Sequence, residues 1–93
     1  GRSIRLTPGF GVRYTVPASV DPERMEDVLT VRFRVTDVYQ NAAVTVKAGD
    51  EILQRRRRMI VAPGEMEEVK LKRADLLSRP DLEELVISLE VEA

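Results

Sequence analysis

Four stretches of the chain alternate apolar and polar residues with a period of two. In the clearest, Leu29, Val31, Phe33 and Val35 fall on one side and Thr30, Arg32, Arg34 and Thr36 on the other. The same beat recurs at Ala42, Val44, Val46 and Ala48, at Val69 and Leu71, and at Leu85, Ile87, Leu89 and Val91. Successive side chains of a strand project to opposite faces, so each run predicts a half-buried strand with one face on a core. The expected core is Leu29, Val31, Phe33, Val35, Val44, Val46, Val69, Leu71, Leu85, Ile87 and Leu89. Met25, Met59 and Met66 are expected to fill gaps in it, as flexible methionines do.

Turn signals divide the rest of the chain. Ile4 to Leu6 reads as a short strand stopped by Thr7-Pro8-Gly9, and Val12 to Val16 as a second that ends at Pro17, since proline cannot donate to a ladder. Ala18 to Asp27 reads as a polar loop with one helical turn, Asp21 its cap and Pro22 its first residue. Further strands are expected over Val28 to Thr36, Ala43 to Ala48, Glu51 to Val61, Met66 to Lys72 and Leu85 to Glu92. Gly49-Asp50 predicts a tight hairpin, Pro63-Gly64 the next turn, and Ala74 to Leu77 a helical turn ended before Pro80. Seven strands joined by short connections predict a seven-stranded antiparallel, immunoglobulin-like β-sandwich.

Composition narrows the function classes. At 93 residues, 43% hydrophobic and 33% charged, the chain has the size and character of a single globular domain, residues 1–93. Its 15 basic and 16 acidic residues leave a net charge of -1, without the basic excess of a dedicated nucleic-acid binder. Two Phe and two Tyr make no base-stacking platform. No apolar run approaches the length of a membrane span. The absence of cysteine removes disulfides, thiol redox chemistry and thiolate metal sites, and fits a reducing cytoplasm. The opening Gly1-Arg2-Ser3, in place of Met, points to a piece of a larger protein.

The candidate chemistry is sparse. There is no histidine, so serines 3, 19, 78 and 88 have no imidazole base, and no catalytic, cofactor-binding or metal-binding residue is assigned. Gly9-Phe10-Gly11 lacks the third glycine of a dinucleotide loop, because Tyr14 stands in its place, and reads as a turn. Glu65, Glu67 and Glu68 lack the spacing of a calcium loop and are placed to pair with cations across strands. The one conspicuous charge run is Arg55, Arg56, Arg57 and Arg58. On a strand its alternate members diverge, so it is either a contact surface for a partner or the protection of a sheet edge. Exposed pairs made by Arg56 and Arg58 are expected to add little to stability.

Three segments carry a resemblance: LTPGFGVRYTVP at residues 6–17, LTVRFRV at 29–35 and VAPGEME at 61–67. In order and spacing they resemble the C-terminal domain of bacterial, clostridial-type NAD(P)/FAD-dependent oxidoreductases of the pyridine nucleotide-disulfide oxidoreductase class. The resemblance implies a C-terminal accessory domain of a parent flavoenzyme, with FAD and NAD(P) held by other domains. Its implied partners are those catalytic domains, in the same polypeptide or a partner subunit. The alternative is a stand-alone immunoglobulin-like module that binds protein or carbohydrate.

Overall fold

Each alternating stretch forms a strand in the computed structural model, which describes residues 1–92. The elements run β1 (Ile4–Pro8), β2 (Val12–Val16), β3 (Ser19–Val20), β4 (Val28–Val35), β5 (Tyr39–Ala48), β6 (Glu51–Val61), β7 (Glu67–Lys72), α1 (Arg73–Leu77) and β8 (Glu84–Val91). They form a five-stranded sheet in the order β3-β1-β8-β5-β6 and a three-stranded sheet in the order β2-β4-β7. The chain is about 60% strand and 5% helix. One hydrophobic cluster joins the two sheets, with Phe33, Val31 and Val35 of β4 meeting Ile87, Leu85, Val44 and Val46 from the other layer.

Two features depart from the seven-stranded antiparallel reading. The stretch expected as a loop contains the two-residue strand β3, paired with β1 through Ile4 and Val20. And β1 runs parallel to β8, with Leu6 beside Leu85 and Pro8 beside Ile87. A parallel pair needs a long crossover, and here the whole chain between the first and last strands supplies it.

The expected core is buried with one exception. Leu29 is half-buried, because β2 ends opposite Arg32 and leaves the first residues of β4 paired only with β7. The methionines depart further. Met25 packs against the core, but Met66 is exposed and Met59 is 84% exposed. Met59 shares the parity of Arg55 and Arg57 on β6 and so points away from the core.

The loops behave as their residues dictate. Gly49 takes a left-handed φ of +60° in the two-residue hairpin that closes Ala48 against Glu51. Asp21 accepts from the Glu23 amide through Oδ1 at 2.9 Å, and its carbonyl accepts from Arg24 and Met25, which makes the expected capped turn. Leu76 buries the only core side chain of α1.

Candidate functional site

The arginine run lies on β6, at one edge of the five-stranded sheet, and its members diverge as the strand period requires. Arg55 and Arg57 turn to the outer face. Arg55 Nε sits 3.1 Å from Glu90 and Arg57 Nη2 3.3 Å from Glu92, both on the far side of β5. Their stems therefore cross the outer face of β5, whose residues there are the small Ala43 and Thr45. This cover accounts for the burial of Thr45, 0% exposed on what the sequence pattern marks as the solvent side. Thr45 is also satisfied there by the Ser88 hydroxyl at 2.9 Å. Arg55 and, secondarily, Lys47 hold the Glu90 carboxyl below the usual carboxylate range.

The other two arginines face the second sheet. Arg56 donates to the Glu68 carbonyl at 3.1 Å, and Gln54, two residues earlier, donates to the Lys70 carbonyl at 2.7 Å. Arg58 Nη1 meets Glu67 Oε1 at 2.6 Å. Glu67 is only 3% exposed, because its register opposite Phe33 places it on the core face of β7. Gln54, Arg56 and Arg58 thus form a ladder of side chains that closes one flank between the layers. Outside that ladder lies an open groove of ≈ 500 Å³ lined by Val44, Gln54, Arg55, Arg56, Glu68, Val69 and Lys70. Glu68 pairs loosely with Arg32 across the sheet, at 3.9 Å.

One end of the molecule collects apolar surface. The β1–β2, β4–β5 and β6–β7 connections meet there: the Thr36 amide donates to the Gly11 carbonyl at 2.9 Å and Arg34 to the Pro63 carbonyl at 3.2 Å. Phe10, 64% exposed, stacks at a tilt on Tyr39 with ring centroids 5.8 Å apart. Val38, Ile60 and Met66 are exposed at the same end, and Met59 leads into it along β6.

Gly9-Phe10-Gly11 forms the hand-over between layers rather than a phosphate loop. The Gly9 amide donates to the Ile87 carbonyl and the Leu89 amide to the Phe10 carbonyl, each at 2.8 Å, so the segment continues along β8 before turning into β2. A Cβ on Gly9 would stand 2.7 Å from Val86 Cγ1, and Gly11 takes a φ of +79° against Leu89. Among the described residues, no group of three or more carboxylates is placed to hold a metal ion. Comparison with protein-family models, curated proteins and solved structures found no match to the chain.

Glu67 pairs with a cation across strands, as the sequence suggests, its partner being Arg58. Its burial was missed, although it shares parity with Val69 and Leu71, and a carboxylate on a core face needs a facing cation. Arg2 was missed altogether and carried no signal. Its guanidinium donates to the carbonyls of Leu76 (3.3 Å), Leu82 (2.9 Å) and Arg79, tying the N-terminus to the end of α1.

Proposed function

We propose that this chain is a non-catalytic accessory domain of immunoglobulin-like type that works by contact. Its partners are the catalytic domains of a cytoplasmic FAD-dependent, NAD(P)-linked oxidoreductase, in the same polypeptide or a partner subunit. The observation that carries the reading is the apolar end. Phe10, Val38 and Met66, from three different connections, and Ile60, near the end of β6, are exposed there. Gathered apolar surface on a small domain marks an interaction site. The oxidoreductase assignment is supported by the three resembling segments, one of which contains Phe10 and another Met66.

The test has two arms. The reading frame upstream of Gly1 should encode a dinucleotide-binding fingerprint, and its absence would remove the oxidoreductase assignment. Phe10→Asp with Val38→Asp should weaken docking of this domain to the separately produced catalytic domains while its thermal unfolding stays in place. Unchanged docking would remove the apolar end as the contact surface.

A further inference from the structure

The two sheets have four edges; three are closed to any added strand, and the fourth is guarded only by the charge of its arginine run. Edge strand β3 has two residues, too few to template a partner. Edge strand β2 is five residues long, carries a register shift between Val12 and Tyr14, and runs straight into Pro17. The open side of β7 is capped, because its Lys70 and Glu68 carbonyls accept hydrogen bonds from Gln54 and Arg56. The fourth edge, β6, spans eleven residues, and among the described residues no backbone bond reaches it from beyond β5. Alternate residues of an edge strand direct N–H and C=O groups outward, so β6 offers a long unpaired ladder.

We propose that β6 accepts an extended segment of a partner protein as an added strand, acidic at its centre and apolar at its ends. This rests on the contact reading above and names the partner's chemistry. The edge itself has that pattern in complement: exposed Ile52 at one end, Arg55 to Arg58 in the middle, and exposed Met59 and Ile60 at the other. Carboxylates on the outer face of the added strand would stand beside Arg55 and Arg57. These two are held only by exposed pairs to Glu90 and Glu92, which exchange at little cost. Side chains on its inner face would lie over the groove rimmed by Gln54, Arg56, Glu68 and Lys70, at whose floor the buried Val44 and Val69 lie. Main-chain hydrogen bonds would supply affinity and the alternate side chains specificity. A second copy of this chain is a poor occupant. Antiparallel β6–β6 pairing centred on the run sets four arginines against four, and like charges directly opposite are destabilising.

The experiment uses the 93-residue chain and the blocked peptide Ile-Val-Glu-Val-Glu-Val-Ile, with two controls: lysine at both glutamate positions, and N-methylation of alternate peptide amides. The glutamate peptide should bind and should slow amide hydrogen exchange at alternate positions between Gln54 and Ile60. Both controls should bind at least about tenfold more weakly. Arg55→Gln with Arg57→Gln should weaken the glutamate peptide by a similar factor and steepen nothing with salt, whereas the parent's affinity should fall as salt rises. Four results would overturn the proposal: no binding of the glutamate peptide at millimolar concentration, binding indifferent to N-methylation, protection confined to β2, β3 or β7, or a concentration-dependent dimer with protected β6 amides. Failure here with intact docking through Phe10 and Val38 would remove the strand acceptor and leave the contact reading standing.

Discussion

Phe33 is fully enclosed and lies opposite Glu67 in the three-stranded sheet, so the largest core side chain and the only buried carboxylate among the described residues are neighbours. Phe33→Ala should cost about 3–5 kcal/mol in chemical denaturation, a large share of the roughly 5–15 kcal/mol a domain has. The arginines should separate by face, contrary to the expectation that Arg58 adds little. Arg57→Ala removes an exposed pair and should cost at most about 1 kcal/mol. Arg58→Ala strands a buried charge and should cost about 2–3 kcal/mol, less than a fully buried pair because Arg58 is part-exposed. Replacing Arg58 and Glu67 together with Leu should recover most of that loss; if it does not, the cost lies in packing and not in the pair. Glu51, beside Arg79, and Glu90, beside Arg55, both titrate below their ordinary value of 4.5. A lowered native pKa means that the folded chain binds fewer protons there. The stabilisation is therefore present above about pH 4.5 and is lost as pH falls through the native values. Glu51 is exposed and Glu90 half-exposed, so Glu51→Gln with Glu90→Gln should flatten the acid limb of stability against pH only slightly, and less at high salt.

At the scale of elements, the boundaries of β2 and β6 are those the turn residues predict, because proline and a glycine hairpin end strands locally. β3 was not legible: two residues carry no periodicity, and only β1 beside them makes them a strand. The Gly9–Gly11 hand-over was legible as a turn but not as a close approach to β8, which depends on a strand nearly eighty residues away. Gly11→Ala should destabilise by about 1–3 kcal/mol, since it combines a left-handed φ with a clash against Leu89. Gly64→Ala, with open space around it, is the control and should stay within about 0.5 kcal/mol. Arg2 ties the Leu76 carbonyl near the end of α1 to the Arg79 and Leu82 carbonyls of the loop that follows. Arg2→Ala should therefore speed amide exchange around Ser78 to Leu82 more than in the sheets.

The whole molecule encloses one core and fills it with its own side chains, Phe33, Ile4, Leu6, Leu85 and Ile87 among them. A flavin or nicotinamide site needs a deep, largely apolar cavity. Calorimetric titration of this chain with FAD and with NADH should therefore give no binding heat, and micromolar binding of either would refute the accessory role.

The period-two pattern by itself determined that the chain is mostly strand, which residues face inward, and that alternate arginines of the run part company. These follow from single-strand geometry, which needs no knowledge of neighbours. Strand order, the parallel β1–β8 pair, and the choice of Arg58 as the partner of a buried Glu67 were decided by the tertiary structure alone. So was the burial of Thr45. Its covering arginines belong to β6, and their anchors are Glu90 of β8 and Glu92 just beyond it; a pattern along one strand says nothing about which strands lie on either side of it.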